Sequence, residues 1–155
     1  MFRRQSKIEL IGYCDSDWGE CKETRRSTSG YAFLLGGAAI SWCSKRQQTV
    51  ALSSCEAEYM ASTLAAKEAI WERNFLKELN IGEDKPVEIF SDSQSAIELM
   101  KDSKFHARVK HIDIHMHFIR ELVSINKVKF TYISTNEQAA DALTKQAPKD
   151  KMKFC

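Results

Sequence analysis

The chain has 155 residues, of which 43% are hydrophobic and 28% are charged. This length suits one domain, and the balance of residue types excludes a disordered, collagen-like or coiled-coil protein. The net charge of +2 neither favours nor excludes a nucleic-acid partner, so any basic surface must be local.

Five segments are predicted to be β-strands because they are short, apolar and bounded by polar or glycine-containing links. They are residues 8–15, 30–35, 38–43, 87–91 and 128–133. Gly36-Gly37 supplies a turn between the second and third strands. Because short links join the first three strands, they are expected to form an antiparallel meander.

Four segments are predicted to be helices, at residues 53–79, 93–101, 111–123 and 135–145. Ser53 with Glu56 and Thr135 with Gln138 match the capping pattern that opens a helix. One apolar stripe is predicted along the longest helix, formed by Ala57, Met60, Ala61, Leu64, Trp71, Phe75 and Leu79.

The order β-β-β-α-β-α-α-β-α predicts a mixed α/β fold with helices on the faces of one sheet. Residues 1–146 are assigned to a single domain and residues 147–155 to a short C-terminal tail. Five cysteines, an odd number without a C-x-x-C pair, favour reduced thiols in an intracellular, cytoplasmic protein. No signal peptide and no membrane span is expected.

Four acidic residues fall where predicted elements begin or end. Asp15 ends the first strand, Glu58 lies in the first turns of the long helix, Asp92 follows the fourth strand, and Asp141 lies in the second turn of the last helix. Strand ends and helix starts gather at one edge of an open sheet. Four carboxylates there would repel one another unless cations such as Mg²⁺ neutralised them. Two such ions about 4 Å apart are a known device for phosphodiester cleavage.

Structural roles for these acids remain open at this stage. Asp92 would serve equally as a helix cap, Glu58 as a partner of the helix dipole, and Asp15 as a turn residue. Other acids also compete with them. Glu56 is better explained by capping, which leaves Glu58 free, and Asp17 is expected to face the same side as Asp15. Asp84 and Asp102 lie in predicted loops, and Asp113 lies in a basic helix.

Seven segments carry a specific set of motifs in one order along the chain. They are YCDSDW (13–18), RSTSGY (26–31), ISWCSKRQ (40–47), LSSCEAEYMA (52–61), FSDSQSAI (90–97), HARVKHIDIHMHFIRE (106–121) and TNEQAADALTK (135–145). In these segments the chain resembles the ribonuclease H domain at the C-terminus of Pol polyproteins from copia-type LTR retrotransposons.

The resemblance implies the ribonuclease H-like fold, in which an antiparallel three-stranded meander and two parallel strands form one sheet flanked by helices. It implies two-metal-ion hydrolysis of the RNA strand of RNA–DNA hybrids, with Mg²⁺ or a substituting Mn²⁺. The family's Asp-Glu-Asp-Asp set matches Asp15, Glu58, Asp92 and Asp141 as catalytic metal ligands. Gln94, in D-S-Q, matches a residue that contacts the minor groove of the hybrid in relatives. A reverse transcriptase domain of the parent polyprotein is the implied partner, in a cytoplasmic virus-like particle.

The chain also departs from the family pattern. Many ribonucleases H carry a histidine in the loop before the last helix, and residues 133–137 contain none. Cys55, Ser93 and Gln146 stand where Thr, Asn and Pro are more usual. None of these changes removes a proposed metal ligand, but together they suggest a diverged copy.

Basic and histidine-rich segments supply further candidates. Lys45 and Arg46, after the third strand, and Arg108 and Lys110, before the third helix, are candidate phosphate contacts, each with a solvated surface as the alternative. Arg25-Arg26 and Arg120 are further candidates of the same kind. A zinc site is a minor alternative for the clustered histidines, which are His106, His111, His115 and His117.

Two other functions are kept open. One is a catalytically inactive or domesticated remnant that acts as a nucleic-acid-binding or structural domain, which the near-neutral charge favours. The other is a different nuclease or an integrase on the same fold, against which the E-A-E-Y and D-S-Q motifs argue.

Overall fold

The computed structural model describes residues 8–19, 23–82, 84–102 and 110–145, with side chains in the last range described from residue 113 onward. The predicted tail 147–155 lies outside the described residues, as do the domain boundary after residue 146 and the residues Cys21, Arg108 and Gln146. The assignment of one domain followed by a tail therefore stays a prediction.

Five strands are present in the described ranges. They are β1 (Leu10–Ser16), β2 (Thr28–Leu35), β3 (Ala38–Arg46), β4 (Val87–Ser91) and β5 (Val128–Tyr132). They form one mixed sheet in the order β3-β2-β1-β4-β5. The first three are antiparallel, whereas β4 pairs in parallel with both β1 and β5. The predicted meander with two added parallel strands is confirmed.

The turn between β2 and β3 explains the two adjacent glycines. Gly36 and Gly37 have φ of 58° and 84°, a left-handed backbone that a tight hairpin turn requires and that glycine adopts without strain. The hairpin sets the register in which Gly30 of β2 lies between Asp15 of β1 and Ser44 of β3.

The third strand is longer than the sequence predicted. It runs to Arg46, so Lys45 and Arg46 lie within β3 rather than after it. β3 is an edge strand, and its last three residues are all exposed. Edge strands commonly carry charged residues. The polar residues predicted to follow the third strand are therefore the solvent-exposed end of this edge strand.

The helices are α1 (Ser54–Glu78), α2 (Gln94–Lys101), α3 (Lys110–Ser124) and α4 (Asp141–Thr144), with a 3-10 helix at Thr135–Glu137. The predicted capping box of α1 is confirmed. The Ser53 hydroxyl accepts a hydrogen bond from the Glu56 N–H at 3.1 Å, and Glu56 Oε2 accepts one from the Leu52 N–H at 2.9 Å. Ser93 caps α2 through the Ala96 N–H at 3.3 Å.

The prediction of one continuous helix over residues 135–145 is wrong. The segment consists of the 3-10 helix and α4, separated by residues 138–140. Gln138, expected to cap Thr135, is buried, and its amide donates to the carbonyls of Cys14 at 3.0 Å and Phe90 at 3.4 Å. These bonds to β1 and β4 tie the segment to the sheet and interrupt the helix.

The predicted apolar stripe of α1 is only half right. Ala57 and Ala61 are buried, but Trp71, Phe75 and Leu79 are 59%, 45% and 51% exposed. Small side chains, including Ala65, Ala66 and Ala69, face the sheet instead. The rings of Trp71 and Phe75 stack on each other at 5.5 Å on the outer surface. Their i, i+4 spacing is the same as that of residues facing a core, so the sequence pattern alone does not distinguish the two arrangements.

Helices cover both faces of the sheet at the end that carries Asp15. Cys14 contacts Ser62 of α1, whereas the next residue, Asp15, is bonded to Thr144 of α4. Because successive side chains of a strand point to opposite faces, α1 and α4 lie on opposite sides of β1.

Two other observations concern thiols and membranes. Cys14, Cys43 and Cys55 are free thiols. In the described part of the chain, no helix combines the length and hydrophobicity that crossing a bilayer requires.

Candidate active site

Two of the predicted acids lie at the carboxyl ends of neighbouring strands. Asp15 is the penultimate residue of β1, and Asp92 directly follows β4. Because β1 and β4 are parallel partners, their carboxyl ends meet at one edge of the sheet. Asp15 is 1% exposed, and Asp92 is half-buried.

The third acid comes from the start of α1. Since Glu56 is used as a cap, Glu58 is left to point towards the strand ends, as predicted. Its Oε1 accepts a hydrogen bond from the Ser16 N–H at 3.2 Å, which fixes the carboxylate against the end of β1. Glu58 is buried as well.

These three acids form a compact group of oxygen ligands. One carboxylate oxygen of each of Asp15, Glu58 and Asp92 lies within 4.8 Å of the others. The second oxygen of Glu58, Oε2, is buried and has no hydrogen-bond partner among the described residues. An unsatisfied buried carboxylate oxygen is costly, and a cation would satisfy it. An oxygen-only donor set suits Mg²⁺ or Mn²⁺, so the residues fit a divalent ion.

Burial and mutual repulsion raise the pKa of two carboxyl groups here. Burial is the largest cause at Glu58, and the charges of Asp15 and Asp92 add to it, so the pKa of Glu58 rises to about 8. Burial also raises the pKa of Asp15 to about 6, although Thr144 and Lys145 oppose it. Without a metal ion Glu58 therefore holds a proton near neutral pH, and a bound cation would release it.

Asp141 reaches the group from the opposite face of the sheet. It is the first residue of α4, not a second-turn residue as predicted, and is 7% exposed. Its Oδ1 accepts a hydrogen bond from Lys145 Nζ at 2.8 Å, and the same Nζ lies 3.7 Å from Asp15 Oδ2. The Thr144 hydroxyl donates to Asp15. The structure thus groups three of the four predicted acids, whereas Asp141 lies outside that group and is linked to Asp15 through Lys145.

Sequence reasoning missed the neutral and basic residues that hold these acids. The Thr135 hydroxyl donates to Asp92 Oδ2 at 2.8 Å, and Gln138 anchors the segment that leads to Asp141. Thr144 and Lys145 lie three and four residues after Asp141, in the motif A-D-A-L-T-K. This spacing, about one helical turn, is the signal in the sequence that points to them.

Acids that competed for these roles have structural partners. The Asp17 carboxylate accepts a hydrogen bond from the Thr28 N–H and so closes the end of the β1–β2 pair. Asp84 pairs with Arg73, and Asp113 lies 3.6 Å from His117.

The sequence is similar to transposon-encoded polyproteins. It is 49% identical over 146 residues to the retrovirus-related Pol polyprotein from transposon TNT 1-94 of Nicotiana tabacum, and 39% identical over 143 residues to that from transposon RE1 of Arabidopsis thaliana. The matches cover 94% and 92% of this chain, but the chain spans only 11% and 10% of the length of these relatives. No protein-family model matches the chain.

Solved structures share the fold at low sequence identity. The N-terminal RNase H domain of a Mycobacterium tuberculosis protein superposes with a TM-score of 0.64 at 11% identity, covering 94% of this chain and 97% of that one. LC11-RNase H1, solved in complex with an RNA/DNA hybrid, superposes with a TM-score of 0.64 at 18% identity. The alignment covers 93% of this chain and 99% of that one. The chain is a ribonuclease H-fold domain of the retrotransposon Pol type. A third structural neighbour is the prototype foamy virus protease-reverse transcriptase, which superposes with a TM-score of 0.58 at 17% identity. The alignment covers 93% of this chain and 21% of that one.

Three of the residues predicted to touch substrate lie at the same end of the sheet as the acids of this ribonuclease H-fold domain. Gln94 is exposed at the start of α2 and, with Glu58 and Asp92, lines an open cleft. Lys45 and Arg46 are exposed at the end of β3, one and two residues beyond Ser44. Ser44, Gly30 and Asp15 lie side by side on β3, β2 and β1. Lys45 and Arg46 are therefore at the same end of the sheet as the acids. Arg108 and the side chain of Lys110 lie outside the described residues.

The histidine segment gives no metal group in the described part of this ribonuclease H-fold domain. His117 lies beside Asp113, whereas His106 and the side chain of His111 are outside the described residues. Among described side chains, the group of three or more candidate metal ligands is the acidic one, Asp15, Glu58 and Asp92.

Proposed function

We propose that the chain is a metal-dependent ribonuclease H, which hydrolyses the RNA strand of RNA–DNA hybrids during the reverse transcription of a copia-type retrotransposon. The observation that carries the proposal is the buried Asp15–Glu58–Asp92 group, with its unpartnered Glu58 oxygen, at the strand edge of a ribonuclease H fold. LC11-RNase H1, a neighbour of the same fold, binds an RNA/DNA hybrid, which supports this class of substrate.

In the proposed mechanism the carboxylates hold metal ions and are not nucleophiles. Asp15, Glu58 and Asp92 would bind one divalent ion, and Asp15 with Asp141 a second. When bound, Mg²⁺, or Mn²⁺ in its place, supplies Lewis-acid activation of water and stabilises negative charge at the phosphate. The protein's own contribution is to hold these oxygens on four separate elements, with Ser16, Thr135 and Thr144 as hydrogen-bond donors.

The exposed residues around the cleft are proposed to bind the hybrid. The neutral amide of Gln94 suits hydrogen bonds to the minor groove, where the 2′-hydroxyl distinguishes RNA from DNA. Lys45 and Arg46 suit contacts with phosphates. The further partner that we propose is a reverse transcriptase domain of the parent polyprotein, and the proposed location is the cytoplasm.

Paired glutamate variants test the proposal. Cleavage of a labelled RNA–DNA hybrid is measured under single-turnover conditions, with and without Mg²⁺. Glu58→Gln and Asp92→Asn are expected to lower the rate by at least the roughly 10–100-fold that losing only an outer-shell partner of a metal ligand typically costs. Glu56→Gln is the matched control, since it removes the same charge two residues away and affects only the helix cap. Equal rates for Glu56→Gln and Glu58→Gln would contradict the proposal.

A non-catalytic nucleic-acid-binding remnant is the second candidate. The ammonium group of Lys145 at the Asp15–Asp141 edge favours it, because a fixed positive charge there opposes metal binding. Hybrid binding by the wild-type chain without any Mg²⁺-dependent cleavage would support this candidate over the first.

A further inference from the structure

Lys145 is a partly exposed cation that contacts two acids of the proposed metal site. Its Nζ lies 2.8 Å from Asp141 Oδ1 and 3.7 Å from Asp15 Oδ2, and the side chains of these two acids are only 9% and 1% exposed. An ammonium group is the ordinary form of lysine at neutral pH, and this one lies within ion-pair distance of two carboxylates.

The acidic cluster consequently has two unequal halves, which share Asp15. On one side, Asp15, Glu58 and Asp92 face one another. Among the described residues no salt bridge is made to Glu58 or Asp92, and Glu58 Oε2 has no hydrogen-bond partner. On the other side, Asp15 and Asp141 already share the ammonium group of Lys145. The Asp15–Glu58–Asp92 half thus needs a cation from outside the chain. In the Asp15–Asp141 half, Lys145 already supplies the positive charge.

We infer that Lys145 occupies the Asp15–Asp141 half of the cluster in the metal-free protein, so that a second divalent ion binds only by displacing it. The first ion binds at Asp15, Glu58 and Asp92, where no displacement is needed. Like charges a few ångströms apart repel strongly in a partly buried site, so the ammonium group and a divalent ion cannot share the second half. This inference rests on the proposed function, because it assumes that the cluster binds metal.

Charge-removing variants of Lys145 test the inference without any catalytic assay. Binding of Mn²⁺ to the purified full chain is followed by the electron paramagnetic resonance signal of the free ion, in the absence of nucleic acid. The wild type is expected to bind one ion clearly more tightly than a second. In Lys145→Met the second ion is expected to bind about tenfold or more tightly than in the wild type, since a unit charge next to its site is removed.

Lys129→Met is the matched control. Lys129 also pairs with a carboxylate, Glu88 at 3.2 Å, but it lies on β5 away from the cluster. Lys129→Met removes one positive charge, as Lys145→Met does. Its Mn²⁺ binding curve is expected to match that of the wild type. Lys145→Arg keeps the charge and is expected to keep the weak second site. If circular dichroism shows that Lys145→Met is unfolded, Lys145→Gln is measured in its place.

The outcomes separate this inference from the proposed function. If the neutral variants at position 145 bind the second ion no more tightly than the wild type, or if Lys129→Met changes it equally, the inference is wrong. If wild-type binding at the first site is absent, or survives Glu58→Gln unchanged, the proposed metal-dependent function itself fails, whatever the result at Lys145.

Discussion

Glu56 and Glu58 lie two positions apart on α1 and act differently because local spacing decides between them. Glu56 is three residues after the cap residue Ser53, so its carboxylate turns back to the Leu52 N–H. Glu58 has no such use and reaches Ser16. This assignment was predictable from sequence, since capping depends only on near neighbours. The parts played by Gln138 and Lys145 were not, because their partners in β1 lie more than a hundred positions away.

The raised carboxyl pKa values predict a pH-dependent stability. The pKa of Asp15 rises from 3.8 to about 6 and that of Glu58 from 4.5 to about 8, mainly through burial. A carboxyl group that binds its proton more tightly in the folded chain stabilises the fold at low pH, and this contribution is lost as pH rises through the folded pKa. The melting temperature of the metal-free protein is therefore expected to fall between about pH 4 and pH 8 from these two groups.

Saturating Mg²⁺ is expected to reverse that loss. It should raise the melting temperature by several degrees at about pH 8 and by much less at about pH 5, where protons compete with the ion. Glu58→Gln is expected to remove most of both effects, as measured by thermal unfolding in the presence and absence of the ion. A Mg²⁺ effect as large at the lower pH as at the higher one would contradict this account of the site.

Gln138 offers a second test at the residue scale. Its amide donates to Cys14 and Phe90 and accepts from the Ala140 N–H at 3.3 Å, inside the protein. Gln138→Leu removes these buried hydrogen bonds, which is expected to lower the free energy of unfolding by about 1–3 kcal/mol. Gln48→Leu, at an exposed position, should change it by less than about 0.5 kcal/mol. Equal urea midpoints for the two variants would show that the buried bonds contribute little.

At the scale of elements, long helices and strands followed from the sequence and the shortest helix did not. α1 was predicted closely because its cap and its length are encoded locally. α4 has only four residues, too few to show a periodic pattern, and its extent depends on the sheet beneath it. The predicted burial of Trp71, Phe75 and Leu79 on α1 was wrong for a related reason. Helical periodicity identifies an apolar face but does not show whether other parts of the chain cover it.

Close packing between α4 and β2 determines where Asp141 lies. A Cβ atom on Gly30 would come within 2.8 Å of Thr144 Cγ2 and 3.0 Å of Leu143 Cβ. Gly30→Ala is therefore expected to push α4 away from the sheet. The expected results are a loss of stability of about 1–3 kcal/mol, typical of overpacking, and a several-fold weaker binding of Mn²⁺.

Gly12→Ala serves as the control for this packing. Its added Cβ would meet the ring of Phe33 at 2.6 Å, in the core and not at α4. We expect it to destabilise the fold in urea or thermal unfolding while leaving Mn²⁺ affinity nearly unchanged. Loss of metal affinity in both variants would mean that general destabilisation, and not the position of α4, weakens the site.

At the scale of the whole molecule, the order of elements predicted the sheet correctly because chain connectivity restricts the possible topologies. The overall charge is less informative. A net charge of +2 gives little attraction for a polyanion, and the described acids at the proposed site, Asp15, Glu58, Asp92 and Asp141, would repel phosphates when ionised. Bound divalent cations would reverse the sign of this local field.

Hybrid binding is accordingly expected to require divalent cations. With Ca²⁺ in place of Mg²⁺ to suppress cleavage, the dissociation constant from fluorescence anisotropy should fall by about tenfold or more relative to a sodium buffer of equal ionic strength. Glu58→Gln should lose most of that gain, whereas Glu56→Gln should keep it. The same gain in both variants would indicate general screening and no bound ion.

The hydrogen bond between Thr144 and Asp15 joins residues 129 positions apart, and that between Gln138 and Cys14 joins residues 124 apart. During translation β1 leaves the ribosome before α4. Asp15 therefore lacks the helix that completes its surroundings while the residues between β1 and α4 are made, a delay of several seconds at about 5–20 residues per second. The cluster is assembled only when the last helix has folded, so a nascent chain lacks the complete set of acids until then.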